Sequence, residues 1–511
     1  MDYVTPIRPR KRNLLDFVAF TFILCLVIVY RSQLLTQFSF VYTDSDQTIM
    51  WEALRNYSEG AFHEPRFYGQ AYNTFLEAFV AIPFYRAGIP AYKALPIVSV
   101  MLALLPFVLV SFFTLLHRSV LHALIILTIP LMLPHEYGLI TSMPRGFVTG
   151  IFFAGIGCIS VLFPKKNWAF SFLSFTTLLG YIANSNAVLL SAACLFYLFL
   201  INFKNYKFYT YSFAGALPGG ILLWFMDRFY ATHPFNNLHG FKLSYTSDNF
   251  VSAFGRLQDF FGFNTPVCNH SGIAIFILLA LVAIFFAIKK QYIKASATLF
   301  IILLLILPLG LNKLSEGTDS LYFHYSRMFL SVPLLLAFCL MLFEPVYEPS
   351  FLYTWCIAAN YFFNDHTGGL PDTVNKIATK KAIEVVTPAR LEHVFKTCYD
   401  LNQIAKKNKI ELVVMVNHYF NDVFTYGCPS CTDRFPETMR PAYERRTWKL
   451  LEAENKVYKT VLFVDELHTL KGRTVQLKNI PQRPELYLLE NNSLKTMSLF
   501  DSLGVRYRRF R

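Results

Sequence analysis

A polytopic α-helical membrane protein, with a small α/β domain at its C-terminal end, is the fold class this sequence predicts, and three observations predict it. The composition is 54% hydrophobic and 16% charged over 511 residues, with a mean hydropathy of +0.38, a balance that a soluble chain of this size does not keep. Apolar runs of about bilayer length recur through residue 363. After Asn364 the chain becomes charged, and helix-like and strand-like stretches follow one another. The formal charge of +14 does not point to nucleic acid: the Lys and Arg residues of the first two-thirds lie mostly in short clusters between apolar runs and read as topology signals.

The first span covers about 14–35. It is too long for a signal-peptide core and no small-residue cleavage pattern follows it, so it is expected to stay as a helix. Arg8, Arg10, Lys11 and Arg12 before it place the N-terminus in the cytoplasm. Further spans fall at about 93–116, 119–134, 144–163, 167–183, 185–202, 209–229, 272–288, 295–311, 327–343 and 350–363, which makes about eleven. Alternation then puts His117 and Arg118, Lys165 and Lys166, Lys204 and Lys207, and Lys289, Lys290 and Lys294 in cytoplasmic turns, as the positive-inside bias requires. Glu344 and Glu348, each followed by Pro, make the next inward turn acidic, and acids weigh little in that bias. The expected organisation is a membrane domain at 1–363, with outer loops at 37–92 and 230–271, and an extracytoplasmic soluble domain at 364–511.

In that domain ARLEHVFKTCYDLNQIAKKN reads as a helix, ELVVMV and TVLFVD read as strands, and Gly504 to Arg508 form a last strand or tail. Six of the nine cysteines lie in or beside apolar spans, where a thiol behaves as a small hydrophobe. Cys428 and Cys431, in GCPSC, are read as a local structural disulfide of an extracytoplasmic domain. A redox or metal pair is the alternative, although no second pair or nearby His completes a zinc set.

The acids cluster at the outer boundary of the spans rather than at mid-membrane depth, which is unlike a proton-coupled pump. Asp44 and Asp46 follow the first span within a few residues, solvated enough to stay ionised and close enough to the hydrocarbon to meet the polar head of a lipid-borne substrate. Their structural alternative is to cap a helix beginning near Thr48. Glu52, Glu59, Glu64 and Glu77 share the first loop, and His135, Glu136 and Arg145 flank the junction of the third and fourth spans.

The acidic pair just after the first span and the stretch FYGQAYNTFLEAFVAIPFYRAGIP resemble the first outer loop of the GT-C membrane glycosyltransferases, the class of protein O-mannosyltransferases and the lipid A aminoarabinose transferase. Later, HYSRMFLSVPLLLAF, with Arg327 at the mouth of the tenth span and Pro333 inside it, is similar to the R-Y-x-x-P pattern of a late helix in that class. The resemblance covers about the first 345 residues. Many relatives have Asp-Glu where this chain has Asp44, Ser45, Asp46, Gln47, so either aspartate matches the family's catalytic one.

What the resemblance implies is transfer of a sugar from a polyprenyl-phosphate donor to a lipid, glycan or protein acceptor at the outer membrane face, with inversion, in a bacterial plasma membrane. Asp44 or Asp46 would be the general base that takes the acceptor hydroxyl proton. The other would bind the acceptor, orient sugar hydroxyls or hold a divalent cation, the one cofactor under consideration. Arg327 would meet the leaving phosphate, since a guanidinium binds phosphate oxygens bidentately, with Arg145, Lys313 and His324 as further cations. Tyr42, Trp51, Phe67, Tyr68 and Tyr72 could present ring faces to the sugar, with Glu64 and Gln70 as polar contacts; the alternative for the rings is an interfacial belt. His63, Glu64 and His135 are candidate metal ligands whose alternative is a solvated loop, and the alternative for Arg327 is an interfacial anchor. A lipid-linked glycan flippase, expected to show internal repeats, a non-catalytic membrane scaffold acting through its outer C-terminal domain, and an O-antigen-type polymerase, expected to place its large loop late in the chain, are the competing classes.

Overall fold

The computed structural model describes residues 13–70, 72–236, 242–267, 271–344, 349–379, 388–418, 421–470, 476–481 and 483–508. The basic cluster at 8–12 and Glu348 lie outside them. The chain forms two compact units. The first holds residues up to Ser39, Ile97–Trp224 and Lys242–Ile383, and the second Phe40–Pro96, Phe225–Phe241 and the segment from Glu384 onward.

The first unit is helical. Each stretch read as a span contains helix, and among the described residues Leu14–Ser39, Ala91–His117, Ser185–Asn202, Tyr292–Gly310 and Tyr325–Leu342 are long and apolar enough to cross a bilayer unaided. Val120–Met132 and His135–Ser142 form a pair bent by 85°. Leu133 at the break is extended and Pro134 follows it, as expected where a proline disfavours helical geometry in the residue before it. Phe147–Leu162 and Ala274–Ile288 are shorter apolar helices. The last helix, expected to end near 363, runs from Pro349 to Thr379, so the expected domain boundary falls inside a continuous helix.

Helices in this unit meet closely where side chains are small. A Cβ at Gly157 would lie 2.3 Å from Thr176 Oγ1, and one at Gly155 would lie 2.4 Å from Pro106 Cβ. The breaks between helices are satisfied by side chains: Asn184 Nδ2 donates to Gly146 O at 3.1 Å and Asn186 Nδ2 to Phe147 O at 2.9 Å. Buried Arg31 serves His135–Ser142 in the same way, donating to Gly138 O at 3.3 Å and to Thr141 Oγ1 at 3.0 Å.

The second unit is α/β. Strand β1 (Tyr42–Thr43) pairs antiparallel with β2 (Ala389–Arg390). Strands β3 (Leu412–Asn417), β4 (Glu437–Met439), β5 (Thr460–Asp465), β6 (Lys478–Ile480) and β7 (Arg483–Glu490) form a mixed sheet in the order β4-β3-β5-β7-β6. β3 runs parallel to β4 and β5, and β7 antiparallel to β5 and β6. Both strands read from sequence are present, and their alternation supplies two cores: Val413, Met415, Leu462 and Val464 face Val394, Leu401 and Phe424, while Leu412, Val414, Val461 and Phe463 face Leu450, Leu499 and Phe500. The residues after Gly504 are a tail rather than a strand.

The expected Cys428–Cys431 disulfide is not made. Cys428 pairs with Cys398, and Cys431 is a free thiol. Cys428 and Cys431 both lie on the helix Asn421–Cys431, where residues three apart are about 5–6 Å apart at Cβ, beyond ordinary disulfide reach. Cys398, on the neighbouring helix Leu391–Lys407, brings its Cα to 5.0 Å from that of Cys428. Peptide mapping without reduction is expected to link Cys398 to Cys428 and to leave Cys431 alkylable. Cys398→Ser should destabilise the second unit by about 3 kcal/mol, read as a lowered Tm, whereas Cys431→Ser should leave the Tm near wild type.

Candidate functional site

The acidic turn begins where β1 ends. Tyr42 pairs with Arg390, Leu391 N donates to Val41 O at 2.8 Å, and the helix Ser45–Ser58 starts three residues earlier than the Thr48 start expected from sequence. Asp44 is its N-cap: Oδ1 accepts from Gln47 N at 2.9 Å and the residue is fully buried. Asp46, in the first turn, keeps a fifth of its side chain exposed and accepts from Arg445 Nη1 at 2.9 Å. The two aspartates therefore differ: one closes the helix, and the other is partly exposed beside a cation.

Farther along the same helix Glu52 is fully buried. Its Oε1 accepts from Arg55 Nη2 at 3.0 Å and from Arg446 Nη1 at 3.4 Å, and among the described residues its Oε2 has no hydrogen-bond partner. Arg446 is equally buried and donates to Glu444 Oε1 at 2.8 Å, Glu444 Oε2 at 3.0 Å and Thr438 O at 2.8 Å. Burial pushes the Glu52 and Glu444 carboxyls up, but Arg446 together with Lys449 and Arg55 at Glu52, and Arg446 together with the backbone N–H donors at Glu444, outweighs it and holds both below the usual carboxylate range. Burial together with the same arginine pulls Lys449 down to about 8.

Several residues expected to face a sugar are instead core. Trp51 is buried, close to the position where a Cβ at Gly427 would lie. Tyr68 is buried with its ring 4.6 Å from that of Trp448 and its hydroxyl accepting from Asn56 Nδ2 at 3.1 Å, and Phe67 is buried against Phe75 at 4.7 Å. Tyr42 and Gln70 are buried and Tyr72 half-buried. His63, expected in a solvated loop, stacks on Trp448 with ring centroids 3.9 Å apart. Glu64, expected there too, is fully buried: Oε1 accepts from Gly69 N at 3.3 Å and Oε2 from Tyr230 OH at 3.0 Å. Tyr42, Trp51, Glu64, Phe67, Tyr68 and Gln70 are dry because the first loop folds as part of an α/β core, a circumstance its sequence alone does not carry. Burial pushes the Glu64 carboxyl up to about 8, against the pull of the two donors.

Three of the four expected phosphate cations, Lys313, His324 and Arg327, lie on the segment 313–327 of the first unit, and Arg145 reaches that segment from elsewhere in the unit. Arg145 donates to Tyr322 O, and Arg327 to Phe323 O at 2.5 Å, His324 O at 3.0 Å and Glu316 O at 2.7 Å, so the two guanidinium groups grip three successive carbonyls. Arg327 also lies 3.8 Å from the Phe323 ring centroid. His324 stacks on Phe263 at 4.1 Å and accepts from Ser326 N through Nδ1, and Lys313 pairs with Glu316 at 3.1 Å. Pro333 lies inside the span Tyr325–Leu342, as expected, in the first turn of its α-helical part Val332–Leu342, where proline is tolerated. Among the described residues no group of three or more His, Cys, Asp or Glu is arranged to hold a metal ion.

Sequence reading missed Glu444, Arg445, Arg446 and Trp448. The run ERRTW is the one visible signal, a pair of arginines in a soluble segment, and nothing local says that its partners lie in the first loop.

Two outcomes follow for the second unit. The folded Glu64 value lies above the ordinary carboxylate one, so the protonated form favours the fold; that stability is complete below the ordinary range and is lost as pH rises toward about 8. Glu64→Gln should match wild type in Tm near pH 5 and exceed it increasingly up to pH 8.5, and a Tm difference constant across that range would contradict this. Arg446→Met strands two buried acids and should cost about 3–5 kcal/mol, measured by thermal unfolding of the purified protein.

No protein-family model and no curated protein sequence matches the chain. Its structure is similar to the crystal structure of ArnT from Cupriavidus metallidurans in the apo state, with a TM-score of 0.56 over 93% of this chain and 98% of that one, at 9% sequence identity. The likeness is one of fold, and it accords with the GT-C resemblance read from the first outer loop and the HYSRMFLSVP stretch. The chain has the architecture of ArnT: a helical multi-span membrane protein with a mixed β-sheet region toward its C-terminus.

Proposed function

We propose that this protein is a GT-C membrane glycosyltransferase that moves a sugar from a polyprenyl-phosphate donor to a lipid, glycan or protein acceptor at the outer face of the membrane. The observation that carries the proposal is the fold: ArnT is a GT-C aminoarabinose transferase, and the likeness runs through both the helical unit and the α/β unit. The four basic turns favour a cytoplasmic N-terminus. The Cys398–Cys428 disulfide supports an extracytoplasmic α/β unit, since such bonds persist in oxidising compartments. A bacterial plasma membrane is the matching location.

In this reading Asp46 is the base. It is the more exposed of the two aspartates, while Asp44 is buried as a helix cap. As the acceptor oxygen attacks the anomeric carbon from the face opposite the phosphate, Asp46 takes the hydroxyl proton, the carbon–oxygen bond to the phosphate breaks, and the electron pair leaves on the phosphate. Arg327, Arg145, Lys313 and His324 meet that charge, with Arg327 first because of its fork geometry.

Sugar transfer by reconstituted protein, assayed with a panel of polyprenyl-phosphate pentoses and hexoses, tests the reading. Asp46→Asn should lower kcat by at least about a hundredfold with normal membrane insertion. Asp44→Asn preserves a capping side chain and should retain most activity. Arg327→Ala should raise the donor KM more than the acceptor KM. Full activity in the Asp44→Asn, Asp46→Asn double variant would remove the carboxylate-base mechanism.

A further inference from the structure

We infer that Arg445 is the positioning residue of Asp46, so that the C-terminal segment takes part in the reaction by orienting the base and holding it ionised. This rests on Asp46 acting as the base. The inference starts from two adjacent arginines that reach the same helix of the first loop in different surroundings. Arg446 is completely buried against Glu52 and Glu444. Arg445 lies at the rim, with 17% of its side chain exposed and Asp46 exposed by 20%. Cohesion between the loop helix and the C-terminal segment is already supplied by the buried arginine and by Arg55, which donates to Pro429 O at 3.1 Å. The Arg445–Asp46 pair, with only 17% and 20% of its side chains exposed, adds to that cohesion and also orients the carboxylate it touches.

Arg445 is itself held in place. Its backbone N donates to Tyr426 OH at 3.2 Å, and Glu444 accepts from the backbone N–H of Arg440 at 3.0 Å and of Arg446 at 3.1 Å, which closes the turn around it. Tyr426 belongs to the helix Asn421–Cys431, which the Cys398–Cys428 disulfide ties to its neighbour and whose Gly427 lies against Thr48 and Trp51 of the loop helix. A guanidinium fixed from behind in this way sets the orientation of the carboxylate in front of it. The charges around the pair are Asp44 and Glu52 on the loop helix, and Asp422, Arg440, Glu444 and Arg446 on the C-terminal segment; Arg440 pairs with Asp422 at 2.5 Å.

Full-length protein in nanodiscs, as wild type, Arg445→Ala and Arg445→Lys, tests the inference with the same donor panel and with hydrogen exchange of residues 42–58. Arg445→Ala should cut kcat at least tenfold, leave the donor KM within twofold, and move the acid limb of the kcat–pH profile upward by about one unit, because Asp46 loses the cation that favours its charged form. Arg445→Lys should restore part of kcat and the position of the acid limb. Wild-type kcat and an unmoved acid limb in Arg445→Ala would overturn the inference. So would a loss accompanied by faster exchange throughout the α/β unit that Lys does not rescue. If the wild type turns over no donor on the panel, the glycosyltransferase reading fails by itself, and the exchange arm still decides the link: faster exchange confined to the first turn at 45–48 in Arg445→Ala, repaired in Arg445→Lys, supports it, and unchanged exchange refutes it.

Discussion

The buried guanidinium of Arg446 lies between Glu52 of the first loop and Glu444 of its own turn, and the join between the first loop and the C-terminal segment depends on this arrangement. Neither carboxylate would stay ionised in so dry a place without the arginine, and the arginine would not be tolerated there without them. The cluster thereby fuses segments 394 residues apart into one compact body. Detaching the loop helix would leave a buried charge uncompensated, so the loop is bound to the C-terminal segment by electrostatic necessity as well as by packing. The short β1–β2 pairing and the contact of Gly427 with Thr48 extend the same join toward the N-terminal end of the helix.

With that join in place, burial assigns different chemistry to like residues. Asp44 and Asp46 are two positions apart, yet one is a dry helix cap and the other a partly exposed acid beside an arginine. Glu52 and Glu64 are both fully buried, yet Glu52 has arginine neighbours that hold it ionised while Glu64 has only a hydroxyl and an amide, which leave it protonated more readily.

The helical unit solves a different problem, which is how to keep irregular backbone in an apolar setting. Its breaks are closed by Asn184, Asn186 and Arg31, each aimed at carbonyls or hydroxyls that the interrupted helices leave behind. Arg145 and Arg327 do the same for the segment around residue 323, so these cations organise the backbone around them. Structural use of their donors and a role at a phosphate are compatible, because a guanidinium carries five N–H groups and its charge is not consumed by neutral acceptors.

The apolar runs determined the helical membrane class and where helices form in the first unit, five of which among the described residues are long and apolar enough to cross a bilayer, because the length and hydrophobicity demanded by a bilayer are written locally. Alternation in ELVVMV and TVLFVD likewise determined two central strands, and the acidic pair after the first span was visible as a candidate site. Tertiary structure alone decided the disulfide partner, because the reach of Cys428 depends on which helix lies opposite it. It also decided that the first loop belongs with the C-terminal segment, that Glu64 and Tyr68 are dry, and that Arg445 answers Asp46. Those assignments depend on burial and on contacts between residues some 400 positions apart, and neither quantity exists until the chain has folded.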